Sequence, residues 1–287
     1  MDVFKAKAVL YGRMIKITHS VFALPFAFTG ALLAASGLPS PEKLFWIAVA
    51  MVGARSGAMG LNRIIDRQID AENPRTAGRE IPTGAVRVRD AALFTLLSFA
   101  GLLFAAYMLN PLCLALSPLA LSVLFLYSYT KRFTWAAHFV LGLAISAAPL
   151  GAWIAVRGTF DAEILPLGAA VVFWLAGFDV LYALQDLEFD RSYGLHSIPQ
   201  RFGAGRALLL ARVFHGVTWA LLCLTGVLFH LNLFYWTGMA FVAGLLLYEH
   251  SLVKPGDLSR LNKAFFNMNG YISIAVFVFT SLSLIKW

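Results

Sequence analysis

Apolar runs recur along this chain at a length that suits one solvent, the hydrocarbon of a lipid bilayer. Nine stretches are read, near 18–37, 44–62, 91–109, 112–130, 137–156, 164–185, 207–229, 231–248 and 266–285. About 20 helical residues cross a hydrocarbon layer of roughly 30 Å. Of the 287 residues, 60% are hydrophobic and 13% charged, against about a quarter charged in a typical soluble domain. The expectation is an all-α integral membrane protein with nine transmembrane helices, forming a single membrane domain over 1–287. The first stretch follows a basic N-terminus without a small-residue cleavage site, so it reads as a retained helix rather than a signal peptide.

Basic residues set the orientation. With the N-terminus in the cytoplasm, 19 of the 23 Lys and Arg residues fall in cytoplasmic segments or, for Arg212, at the cytoplasmic end of a span. Lys43, Arg157 and Lys286 lie on the opposite side, and Arg55 lies inside a span. The net charge of +8 is therefore mostly a topology signal and calls for no nucleic-acid partner. Cys113 and Cys223 fall within spans and read as small packing residues. The histidines at 19, 138, 196, 215, 230 and 250 are dispersed, without the spacing of a transition-metal site.

The carboxylates are not dispersed. Nine of the 15 acidic residues sit in two segments, one after the second span and one at the end of the sixth. Both are cytoplasmic ends in this topology. At about 100° per residue, Asn62, Asp66 and Asp70 share one helix face within an arc of ~80°. Asp179, Tyr182, Asp186 and Asp190 share another, and Arg55 returns to nearly the azimuth of Asn62, seven residues on. Like charges four residues apart repel, and ionised carboxylates at a membrane edge are costly unless paired or metal-bound. A hard divalent cation such as Mg²⁺ takes one or two carboxylates, keeps waters, and accepts the oxygens of a substrate's phosphates. Solvated loop charges balanced by neighbouring arginines explain one such pair readily and two aligned pairs poorly.

These motifs resemble the UbiA superfamily of membrane prenyltransferases. Asn62-x-x-x-Asp66-x-x-x-Asp70 is followed by NPRTAGREIPTG (Asn73–Gly84), and Asp179-x-x-Tyr182-x-x-x-Asp186-x-x-x-Asp190 is the second signature. Tyr127-Ser-Tyr-Thr-Lys131-Arg132 and Arg55 match two further family positions. Ser128 and Glu80 stand where many relatives have proline, which suggests a subgroup. With GLHSIPQRFG (Gly194–Gly203), the loops are similar to bacterial 4-hydroxybenzoate polyprenyltransferase-like members, some of which use a dihydroxynaphthoate in menaquinone synthesis.

The resemblance implies a UbiA-type helical bundle in the plasma (inner) membrane, its central cavity open to the cytoplasm. It implies Mg²⁺-dependent transfer of a polyprenyl group from its diphosphate to an aromatic acid ring in quinone biosynthesis. Asp66, Asp70, Asp186 and Asp190 are then the catalytic metal ligands, with Asn62 as a further oxygen ligand or positioning group. Lys131, Arg79 and Arg67 are candidate diphosphate contacts, or positive-inside charges; Arg75, Arg132 and Arg201 are assigned to topology. Arg55 admits two readings, an anchor for the acceptor's carboxylate or an ion pair with Asp66 or Asp179. Asp179 and Tyr182 face the same cavity and orient the acceptor or the metal's waters, while His196 caps it or serves as a polar loop residue. A transporter with a cytoplasmic cation site is the alternative of another class, although it predicts more charge at mid-membrane depth. The Asp-Gly-x-x-Ala-Arg core of CDP-alcohol phosphotransferases is missing.

Overall fold

A computed structural model describes residues 2–16, 23–254, 257–258, 260–261 and 267–285. His19, Lys263, Lys286 and the start of the first apolar stretch lie outside them. The described elements are α1 (Asp2–Met14), α2 (Leu24–Ala35), α3 (Pro41–Ile65), α4 (Arg67–Glu72), α5 (Val88–Leu109), α6 (Pro111–Thr130) and α7 (Ala137–Arg157). They continue with α8 (Leu165–Ala183), α9 (Leu187–Tyr193), α10 (Ile198–Phe202), α11 (Ala204–Leu228), α12 (Leu233–Ser251) and α13 (Asn269–Leu284). By length and composition, six helical segments among the described residues suffice to cross a membrane: α3, α5, α6, α7, the run Ala162–Tyr193, and α11. The helices α2 and α13 are apolar but shorter.

Local chemistry sets the ends. Pro41 opens α3 behind Ser40, whose hydroxyl accepts the Lys43 amide, and Pro111 opens α6 behind Asn110, which accepts the Cys113 amide. Proline at the first helical position loses no bond there. The tight α5–α6 connection makes those two helices antiparallel neighbours. Past Arg89 and Asp90 in its first turn, α5 is largely apolar and leaves Leu93, Leu96 and Leu97 more than half exposed, as suits a face turned to lipid.

Helix contacts close a ring: α2 on α7, α7 on α8, α8 on α11, α11 on α12, α12 on α13 and α13 back on α2. α3 and α5 pack together outside it, joined through α6 to α7. At the α7–α8 seam, a Cβ on Gly142 would lie 2.5 Å from the Val172 carbonyl oxygen. Only glycine permits that approach, and it holds α7 close against the helix bearing Asp179. Buried Glu249 accepts the Asn269 amide at 3.0 Å, pinning α12 to α13.

Neither carboxylate motif lies on an unbroken helix. α3 stops at Ile65; Asp66 has φ −89° and ψ 4°, and α4 begins at Arg67. In the second motif α8 gives way to a 3₁₀ turn, Leu184–Asp186, and Asp186 has φ −102° and ψ 6° before α9. Both breaks therefore fall on an Asp in the bridge region of backbone space. The amides of Asp66 and Asp70 still bond the carbonyls four residues earlier, so the shared face survives.

Candidate active site

The first motif holds its carboxylates almost out of solvent: Asp66 is 1% and Asp70 3% exposed. Asn62 Nδ2 donates to Asp66 Oδ2 at 2.9 Å, and Lys131 Nζ reaches the same oxygen at 2.6 Å from the end of α6. Arg132 Nη2 is 3.1 Å from Asp66 Oδ1, but its hydrogen bond goes to the Ile65 carbonyl, which leaves Oδ1 buried without one. Arg79 donates to Asp70 Oδ1 at 2.7 Å. Arg63 stands 4.0 Å from Asp70 Oδ2, which likewise accepts no hydrogen bond.

The loop after α4 then reaches across to the second motif. Asn73 Nδ2 donates to Asp186 Oδ1 at 2.9 Å. Arg75 grips Asp186 with two N–H groups and donates from Nη1 to the Tyr182 phenol oxygen at 2.9 Å. A bidentate guanidinium–carboxylate pair fixes direction as well as charge. Burial disfavours the Arg75 charge, but the Asp186 hydrogen bond and charge outweigh it and raise the guanidinium's pKa.

Lys16 enters from beyond α1 with φ 48°, and its Nζ is 3.4 Å from the Tyr182 oxygen. Burial, with Arg63, Arg79, Arg75 and Arg55 nearby, lowers its pKa to about 8. Asp190 accepts Ser197 Oγ at 3.0 Å, and Asp179 accepts His138 Nδ1 at 2.7 Å. Gly194, at φ 80°, ends α9 and returns the chain over the site. The His196 amide then bonds the Lys131 carbonyl at 2.8 Å.

Most of these groups, though not Lys16, Arg63 or Arg132, line a cavity of about 190 Å³. Of the site residues read from the sequence, all but Arg55 and Arg67 line it. Arg67, one residue past Asp66, is turned by about 100°, and its exposed side chain bonds the Ile64 carbonyl. Arg55 forms no ion pair with Asp66 or Asp179 among the described residues, because those carboxylates are taken by Lys131 and Arg132 and by His138. Its Nε is buried without a hydrogen-bond partner.

Arg75 is a correction: the reading as a topology charge overlooks its two-pronged grip on Asp186. Arg132, also assigned to topology, lies against Asp66. Asn73, Ser197, His138 and Lys16 were not singled out for the site. For Asn73 and Arg75 the NPRT segment was a signal; for His138 and Lys16 nothing in local spacing marks them.

Among the described residues, no three His, Cys, Asp or Glu side chains converge on one point. Two carboxylate pairs instead flank one cavity, and each member of the first pair has an oxygen that accepts no hydrogen bond. That donor set fits magnesium, which needs one or two protein carboxylates beside water and phosphate oxygens. Arg75, Arg79 and Lys131 line the cavity beside five carboxylates, so with divalent cations bound to those carboxylates it would favour a polyanion.

The sequence profile of the UbiA prenyltransferase family matches residues 23–271. The 4-hydroxybenzoate octaprenyltransferase of Pseudomonas aeruginosa is 31% identical over 252 residues, covering 86% of this chain and 83% of that one. Its Vibrio campbellii namesake is 29% identical over 282 residues, covering 97% and 98%. The apo structure of a UbiA homolog from Aeropyrum pernix K1 superposes with a TM-score of 0.85 at 32% identity, over 93% of this chain and 98% of that one. A UbiA homolog from Archaeoglobus fulgidus bound to GPP and Mg²⁺ shares the fold, with a TM-score of 0.73 at 19% identity over 96% and 99%. Two Asp motifs facing one cavity, a matching fold and a family profile across most of the chain place this protein in the UbiA prenyltransferase family, as a membrane enzyme of prenyl transfer.

Proposed function

We propose that this enzyme transfers a polyprenyl group from polyprenyl diphosphate to the ring of an aromatic acid, 4-hydroxybenzoate, with Mg²⁺. The observation that carries this reading is the single cavity onto which both carboxylate pairs and their cations converge. The names of the relatives support the acceptor. Asp66, Asp70, Asp186 and Asp190, with Asn62, would hold magnesium. When bound, it supplies electrostatic stabilisation of the departing diphosphate. Lys131, Arg79, Arg75 and Lys16 bind the diphosphate oxygens as their contacts rearrange around the substrate.

Arg55 lies seven residues, or about 10 Å, along α3 from Asn62. Its planar fork suits a carboxylate, and there it anchors the acceptor acid beneath the diphosphate. Asp179 and Tyr182 orient the ring. The chain forms one domain of nine spans in the plasma membrane, N-terminus and cavity mouth in the cytoplasm.

Membranes supplied with a prenyl diphosphate, Mg²⁺ and a panel of aromatic acids test the reading. Prenylated 4-hydroxybenzoate is the expected product. Turnover of a dihydroxynaphthoate alone transfers the enzyme to menaquinone synthesis, and no turnover of any aromatic acid refutes the acceptor class.

A further inference from the structure

His138 is buried, 4% exposed, at the start of α7, and both of its ring nitrogens are engaged. Nε2 lies 3.2 Å from the backbone nitrogen of Ile198. An amide N–H can only donate, so Nε2 is the acceptor. The neutral ring then carries its proton on Nδ1, which faces Asp179 Oδ2 at 2.7 Å. A main-chain amide thereby sets the tautomer, and the tautomer makes His138 a donor to the carboxylate. The amide belongs to the loop whose Ser197 also donates to Asp190 and whose His196 amide bonds the Lys131 carbonyl. One loop thus grips three separate groups of the site.

Asp179 is set apart from the other carboxylates. Asp66, Asp70 and Asp186 each meet a Lys or Arg and Asp190 meets the Ser197 hydroxyl, whereas the partner of Asp179 is an imidazole. It stands seven residues before Asp186, about 10 Å farther along the helical run, and its side chain is 25% exposed on the cavity wall. That depth lies below the diphosphate end, where the acceptor ring must meet the prenyl carbon.

We infer that Asp179 is the proton acceptor for the aromatic ring and that His138, held by the Ile198 amide, is the residue that positions it. The assignment rests on the aromatic-acceptor reading above. In the step, a bond forms between the prenyl C1 and a ring carbon as the allylic C–O bond breaks, and diphosphate leaves with that electron pair. The ring carbon then carries both the prenyl group and its hydrogen. Asp179 takes the hydrogen as a proton, the C–H electrons restore aromaticity, and Asp179 passes the proton on to water. A carboxylate directed by an N–H on one oxygen presents the other to the ring, the arrangement general-base transfer requires.

Two near-isosteric variants separate the two bonds of His138. In His138→Asn the amide nitrogen occupies the place of Nδ1 and still donates to Asp179, but the bond to Ile198 is lost. In His138→Gln the amide oxygen takes the place of Nε2 and still accepts from Ile198, but the donor to Asp179 is lost. The purified enzyme in detergent is assayed with geranyl diphosphate and Mg²⁺ against 4-hydroxybenzoate and a dihydroxynaphthoate, each also ring-deuterated.

The expected result is that His138→Gln lowers kcat by about 10- to 100-fold, the scale of losing an orienting partner. It should leave the donor's KM unchanged and reveal a primary isotope effect on the deuterated ring. His138→Asn should keep most of the activity and show no such effect. The reverse order, or a loss shared by both variants together with weakened donor binding, makes His138 a loop anchor and overturns the assignment. Wild-type enzyme that turns over neither acceptor overturns the acceptor reading itself, which is a separate result from a null effect in the variants.

Discussion

Asp66→Asn removes one negative charge while keeping nearly the same side-chain volume, and its two consequences differ in size. For the fold, Lys131 and Arg132 lose their anionic partner. Both side chains are 31% exposed, so water screens each pair, and about 1 kcal/mol apiece is the scale of the loss. A destabilisation of about 2 kcal/mol leaves a folded protein. For catalysis, two unit charges about 4 Å apart interact by ~4 kcal/mol at an effective dielectric constant of 20. A divalent cation doubles that figure, and Lys131 and Arg132, freed toward the diphosphate, return part of it. A net loss of about 4 kcal/mol in the transition state corresponds to roughly a 10³-fold slower transfer. The assay is kcat for prenyl transfer at saturating donor and Mg²⁺, with a thermal melt of the same preparation. EDTA should stop the wild type and Mg²⁺ restore it. A variant that keeps its melting transition and loses less than about tenfold in rate refutes Asp66 as a metal ligand.

Cysteine labelling in intact and opened cells should place positions 79 and 191 in the cytoplasm and position 157 outside; opposite sides for 79 and 191 would separate the two Asp motifs. Arg55→Lys keeps the charge but not the fork, so the acceptor's KM should rise more than the donor's. Arg55→Ala should cost about 2–5 kcal/mol in acceptor binding, and an effect on the donor's KM alone would move Arg55 to the diphosphate site. Lys16 has a folded pKa near 8, below its ordinary value, so between about pH 8 and 10.5 the unfolded chain binds the proton that the folded one releases. Stability should therefore rise with pH across that window. Lys16→Met should flatten the rise and melt higher than wild type at pH 7; an unchanged pH profile of melting would show that Lys16 carries no such penalty.

The solvent and the local geometry are legible in the residues alone. Runs of about 20 apolar residues and the scarcity of charge leave a membrane helix bundle as the outcome, because backbone polar groups in lipid must be satisfied within the helix. Four-residue spacing puts Asn62, Asp66 and Asp70 on one face, since that face is a property of the helix and not of its neighbours. Even the break at Asp66 keeps the bonds that preserve it.

Tertiary structure alone decided the partners. Asn73 and Arg75 meet Asp186 across 113 and 111 residues of chain, and His138 joins Asp179 and Ile198 across 41 and 60. Each pairing depends on which helices adjoin in the ring and on close approaches such as Gly142 against Val172. Arg67 shows the same limit from the other side: it adjoins Asp66 in sequence, yet one residue of helical rotation turns its side chain to the Ile64 carbonyl and out of the cavity lining. Spacing along a chain specifies the direction of a side chain from its own helix; what waits in that direction is set by packing between helices.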